Sequence, residues 1–155
     1  MKKIFTYLIL FLIIANCGFK VVNQLKINNY KISEVETFGN KKINFKIKNR
    51  LLLSSENDAA KIIKVRLNTK IEKVTKEKNI KNEITKKQLT ISTKVNILDE
   101  SNSNLKNFTI YKNGDYNVDQ KYSNTLNNER KLIEILTESI TNKIIQEISN
   151  KLDDF

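Results

Sequence analysis

Ile63-Lys64-Val65-Arg66-Leu67-Asn68-Thr69-Lys70-Ile71-Glu72 and Leu89-Thr90-Ile91-Ser92-Thr93-Lys94-Val95-Asn96-Ile97 are the two stretches whose alternation decides the fold. A period of two places every second residue on one side of a strand. Ile63, Val65, Leu67, Thr69 and Ile71 therefore share one face, and Leu89, Ile91, Thr93, Val95 and Ile97 share another. The residues between them are Lys, Arg, Asn, Glu, Thr and Ser. One dry face and one wet face are the mark of an antiparallel sheet covered on one side only. Residues 73–87 join the two strands, with Lys78-Asn79 as the tip of a hairpin. Pairing across that hairpin brings Lys64, Arg66 and Lys94 near one another on the wet face. Neighbouring like charges cost stability in a sheet. Two readings follow: a solvated face where the cost is tolerable, or a face that meets an anion.

Working outward, residues 30–38 read as a further strand whose alternation slips a step near Glu34, and Gly39-Asn40 breaks it. Residues 41–54 admit two readings. Ile43, Phe45 and Ile47 alternate as in a strand, whereas Ile43, Ile47 and Leu51, with Leu52, lie on one helical face. Length, the Leu-rich end and Asn40 as an N-cap favour the helix. Residues 54–58 form a polar loop and 99–104 a turn. Phe108, Ile110, Tyr116 and Val118 belong to a fourth extended stretch, with Asn113-Gly114 expected as a bend or bulge inside it. Residues 123–152 make a long amphipathic helix in which Leu132, Ile133, Leu136, Ile140, Ile144, Ile148 and Leu152 recur at threes and fours. The stripe suits packing on a sheet; a coiled-coil partner is the alternative, although the spacing does not hold a heptad. The order is β-α-β-β-β-α. The expected class is α+β: a two-layer α/β sandwich with two helices on one face of a four-stranded, mostly antiparallel sheet.

The chain opens differently. Lys2-Lys3 precede an apolar run over residues 4–15, followed by Asn16-Cys17-Gly18. A spanning helix needs about 20 apolar residues, so the run reads as a secretory signal. Cys17 is the only cysteine. An exported chain with a lone thiol is unusual, because oxidising compartments favour paired cysteines. The layout resembles a bacterial lipoprotein signal peptide: Ile14-Ala15 fit the motif before the cysteine, and Asn16 stands where Gly, Ala or Ser is usual. The alternative is an exported chain with a free thiol. On the lipoprotein reading, residues 1–16 are the signal peptide, Cys17 is the lipid attachment site, 17–28 are a lipidated arm and 29–155 are one domain. Gly18 after the cysteine implies, by the same resemblance, sorting to the outer membrane.

Removing residues 1–16 from the 155 leaves 139, enough for a domain of ordinary size. The formal charge is +11, and +9 without Lys2 and Lys3. A basic surface points to phosphates or acidic lipid headgroups, and export argues against nucleic acid. The wealth of Lys, Asn and Ile also fits charge spread over solvated faces. There is no histidine, which removes Ser-His and Cys-His pairs and His-based metal sites. With three glycines there is no phosphate loop. The expectation is therefore no enzyme, no catalytic residues, no metal and no cofactor.

Taken in order, these features resemble the lipopolysaccharide-assembly lipoprotein family LptE, also called RlpB. The resemblance begins at Cys17-Gly18-Phe19 and runs through the first strand, the Gly39-Asn40 break and a helix ending in Leu51-Leu52-Leu53. It continues through the alternating strands at 63–67 and 89–97, a last strand at 107–117 and the closing helix at 123–152. Lysine stands at most of the strand positions where the family is rich in arginine. The resemblance implies a lipid-anchored, periplasm-facing protein of the outer membrane. It would assist assembly of an LptD-like β-barrel, plug its lumen and bind lipopolysaccharide. Lys64, Arg66, Lys70 and Lys94 are then the candidate anion-binding residues for lipopolysaccharide. The alternatives are an auxiliary lipoprotein of an envelope lipid ABC transporter and a structural envelope lipoprotein.

Overall fold

The computed structural model describes residues 30–56, 59, 61–101 and 103–153. The expected signal peptide, Cys17 and the arm lie outside the described residues. Among those described, the chain runs β1 (Tyr30–Gly39), α1 (Lys41–Leu53), β2 (Lys61–Lys78), β3 (Ile84–Leu98), β4 (Asn104–Asn117) and α2 (Tyr122–Asp153). The sheet is open, and its strand order is the chain order, β1-β2-β3-β4. β1 is parallel to β2, and the other neighbours are antiparallel. α1 packs on β1 and β2, α2 on β3 and β4, and the helices touch each other. This is the α+β sandwich that the alternation predicts.

The β2–β3 register joins the two alternating stretches dry face to dry face: Leu67 lies opposite Val95, Thr69 opposite Thr93 and Ile71 opposite Ile91. A slip of one residue would turn Lys64, Lys70 or Lys94 inward, so the apolar pattern fixes the pairing. The Thr69 and Thr93 hydroxyls share a hydrogen bond of 3.0 Å, which satisfies both inside the apolar layer. β1 pairs with β2 only as far as Thr69; beyond it, among the described residues, β2 pairs with β3 alone. The slip near Glu34 is a bulge in β1, with a register shift between Ile32 and Glu34. It lets Tyr30, Ile32 and Val35 all reach the core despite their odd spacing, while the Ser33 hydroxyl donates to the Ile63 carbonyl at 3.2 Å.

The strand turns into a helix within two residues. Gly39 has φ of 85°, and a Cβ there would lie 2.1 Å from the Thr69 carbonyl oxygen. Only glycine meets both conditions. Asn40 then donates its N–H to that carbonyl at 2.9 Å, and its side-chain oxygen caps α1 by accepting from the Ile43 N–H at 3.1 Å. The Asn44 amide, buried, ties the helix back to the Phe38 carbonyl at 2.7 Å. Ile43, Ile47 and Leu51 are buried, whereas Phe45, which a strand would have buried with Ile43 and Ile47, is 65% exposed. The four-residue spacing therefore decided this segment.

In α2 the fully buried Ile140, Ile144 and Ile148 form the centre of the stripe, with Leu136, Ile145 and Leu152 around them. The stripe is used up on the sheet. Replacing one of the three isoleucines by alanine costs about 2–5 kcal/mol. One expectation fails: Asn113-Gly114 is neither a bend nor a bulge. The β3–β4 register runs unbroken through Thr90–Asn113 and Leu89–Gly114. Gly114 serves the helix instead, because a Cβ there would lie 2.7 Å from Leu132 Cδ1. Beyond it, Glu129 of α2 accepts from Lys73 of β2 at 2.7 Å and from the Tyr116 hydroxyl of β4 at 3.1 Å, joining both layers.

Two predictions follow from this packing. Gly39→Ala should destabilise by about 2 kcal/mol or more, since both φ and a backbone oxygen oppose it. Gly114→Ala should cost less, because the flexible end of Leu132 can move. Urea denaturation of both variants measures this, and equal midpoints would refute it. The second prediction concerns pH. Burial opposes ionisation of Glu129, but Lys73 and Tyr116 together hold its carboxyl below the ordinary range. Burial, then the hydrogen bond to Glu129, push Tyr116 up from 10.0 to about 12. The Glu129 contribution is present above the ordinary carboxylate range and is lost as pH falls through its depressed value. The Tyr116 contribution is full below pH 10.0 and is lost as pH rises through about 12. In stability-versus-pH curves, Glu129→Gln should flatten the acid limb and Tyr116→Phe the alkaline one. Variant curves parallel to the parent would contradict the assignment.

Candidate functional site

With both helices on one face, no described element covers the other face of the sheet, and even-numbered residues of β2 and β3 occupy it. The register sorts them into rows. Glu34 of β1 faces Lys64 of β2. Glu36 faces Arg66, which faces Asn96 of β3 and then Asn107 of β4. Phe38 faces Asn68, then Lys94, then Thr109. Lys70 faces Ser92 and then Tyr111. All four cations singled out in the sequence are thus on one face. They form a stripe rather than a cluster: Lys64 to Lys70 spans about 20 Å along β2, with Lys94 one strand, about 5 Å, to the side.

The stripe is not uniform. Arg66 Nε donates to Glu36 Oε2 at 2.6 Å. That hydrogen bond, helped by the charges of Arg66 and Lys64, holds the Glu36 carboxyl below its ordinary range against the opposing effect of burial. The same hydrogen bond raises the Arg66 pKa. An exposed pair of this kind adds little stability, but it commits the guanidinium to an internal carboxylate. Lys70 and Lys94 lie further along, where the facing residues are Ser92, Asn68 and Thr109. These two present charge among hydroxyls and amides that can also hydrogen-bond a ligand. Glu72 follows Lys70 on the same face of β2, and at the far end Asp115 holds Lys76 and accepts from Gln88 at 3.3 Å, so the stripe ends on an acid.

Sequence reading missed two parts of this face. Glu36 escaped because the alternation of β1 does not reveal which strand lies beside it. Phe38 and Tyr111, 52% and 69% exposed, bracket the central cations from β1 and β4. Both sit at wet-face positions of their strands, so parity was the available signal. The face thus combines cations, hydrogen-bonding side chains and two aromatic rings, a mixture suited to an anionic amphiphile or glycan. Among the described residues, no cluster of His, Cys, Asp and Glu is arranged to hold a metal ion.

No family model and no curated protein matches the sequence. Solved structures do resemble the fold. Rare lipoprotein B from Shewanella oneidensis superposes with a TM-score of 0.56 at 16% identity, over 78% of this chain and 97% of that one. A minor lipoprotein from Acinetobacter baumannii gives 0.59 at 17% identity, over 79% and 92%. A lipoprotein B from Nitrosomonas europaea gives 0.54 at 14% identity, over 85% and 90%. At these identities, the likeness is one of fold.

Proposed function

We propose that this chain is an outer-membrane lipoprotein subunit of a lipopolysaccharide transport and assembly translocon. In this reading the chain is cut after residue 16, and Cys17 carries the lipid. Residues 17–28 are the arm, and the domain over 29–155 faces the periplasm. The domain associates with an LptD-like β-barrel, assists its assembly, closes its lumen and offers the open sheet face to lipopolysaccharide. It acts by binding, not catalysis. The observation that carries the reading is the fold shared with lipoproteins B over 90% and 97% of their lengths. It stands beside a single cysteine placed directly after a short apolar run.

The physics of the face supports the ligand. Lipopolysaccharide carries phosphates, carboxylates, sugars and acyl chains. Lysines pair with phosphate oxygens through charge-assisted hydrogen bonds, which strengthen where a surrounding wall lowers the dielectric. A polar sheet face also suits the polar lumen of an outer-membrane barrel.

Affinity purification from solubilised envelopes tests the partner. A large outer-membrane barrel should copurify, and Cys17→Ser should move the uncomplexed protein out of the membrane fraction. Association with an inner-membrane transporter instead would establish the auxiliary-lipoprotein alternative. For the ligand, Lys70→Glu with Lys94→Glu should weaken lipopolysaccharide binding about tenfold or more. Glu36→Gln, which releases Arg66, should strengthen it. Unchanged affinity in both variants would sink the ligand face and leave the partner reading standing.

A further inference from the structure

We infer that the outward face of α1 is a docking surface for an anionic lipid bilayer. α1 carries Lys41, Lys42, Lys46, Lys48 and Arg50 and no acidic residue. Its inward face is spent on the core through Ile43, Asn44, Ile47 and Leu51. Phe45, Leu52 and Leu53 lie at i, i+7 and i+8, away from that face, and Leu53 is 80% exposed. At 3.6 residues per turn, Lys41 and Lys48 flank Phe45 and Leu52 on one side, and Lys42 and Lys46 lie on the other. Lys46 is held by Glu134 of α2 at 2.6 Å. Large apolar side chains ringed by cations on an exposed helix face are the composition of helices that lie in a membrane interface. Each basic residue near an anionic surface strengthens the attraction to it.

The position of α1 chooses the occupant. The end of this helix is bound to the start of β1: Ser55 Oγ accepts from the Ile32 N–H at 2.7 Å, and the Glu56 N–H donates to the Tyr30 carbonyl at 3.1 Å. Tyr30, the first described residue, therefore lies at the Leu52-Leu53 end of α1. Only residues 18–29 separate Tyr30 from Cys17. Fully extended, they reach about 40 Å. A lipid on Cys17 thus keeps this basic, apolar turn close to a bilayer, and charge complementarity selects phosphate-bearing headgroups. The inference rests on the lipid-anchor half of the proposed function and is independent of the barrel.

The chain has no tryptophan, so Leu53→Trp supplies a single reporter at an exposed site. The full-length gene product bearing this change is purified and reconstituted into phosphatidylethanolamine vesicles with or without phosphatidylglycerol. Flotation reports the anchor and tryptophan emission reports the face. With phosphatidylglycerol, emission should shift to shorter wavelength and lose about half or more of its intensity to lipids brominated on their acyl chains, as the ring sits about 5–10 Å into the interface. Without phosphatidylglycerol it should remain solvent-like. Adding Lys41→Gln, Lys42→Gln and Lys48→Gln should abolish the shift, with an unchanged circular dichroism spectrum confirming the fold. Protein that floats with solvent-like emission in both vesicles overturns the docking face and spares the anchor. Protein that does not float overturns both. A shift seen only when an outer-membrane barrel copurifies assigns the face to a protein wall and overturns the inference.

Discussion

The Thr69 carbonyl accepts the Asn40 N–H at 2.9 Å, and the chain reaches that point only because residue 39 has no side chain. The contact ties together the three parts of the first half of the domain. It ends the parallel pairing of β1, starts α1 at a fixed height above the sheet and uses a residue whose hydroxyl is already bonded to Thr93. The position of α1 over β1 and β2, and so the depth at which Ile43, Ile47 and Leu51 enter the core, follows from it. At the other side Gly114 does the corresponding job by admitting Leu132. Two of the three glycines thus set the distance between the layers, one for each helix.

The sandwich has basic character on both outer surfaces, but of two chemical kinds. On the sheet, cations stand among Ser, Thr and Asn with an aromatic ring at either side, and β1 acids balance the Lys64–Arg66 end. On α1, cations stand among Phe and Leu with no acid in the helix. The first surface can recognise a ligand group by group through directional bonds. The second is suited to a broad, phosphate-bearing surface with an apolar interior. The two lie on opposite sides of the core, so occupation of one leaves the other accessible.

Most of the fold was legible because its strongest signals are local. The period of two in β2 and β3, the cap and break at Gly39-Asn40 and the spacing of isoleucines in α2 each act within a few residues, and each agrees with the tertiary structure. Even the slipped phase at Glu34 carried its meaning, as a bulge. What failed was contextual. Gly114 looked like a bend because a glycine in a strand usually signals one, while its reason lies in a helix that arrives later in the chain. For the same cause the cation stripe was found by parity, whereas its partner Glu36 required knowing that β1 lies beside β2.

β2 outlasts β1. From Lys70 to Lys78 its pairing among the described residues is with β3 only, so within them one row of backbone donors and acceptors has no strand beside it. Such a row is a template on which another chain can grow a sheet. Lysine recurs there at 70, 73, 76 and 78, and a register shift falls between Thr75 and Glu77. Repeated charge and an irregular ladder both penalise an incoming strand. The same residues that make the domain basic thus protect it against strand-on-strand polymerisation, a matter of colloidal stability wherever the domain is crowded with copies of itself.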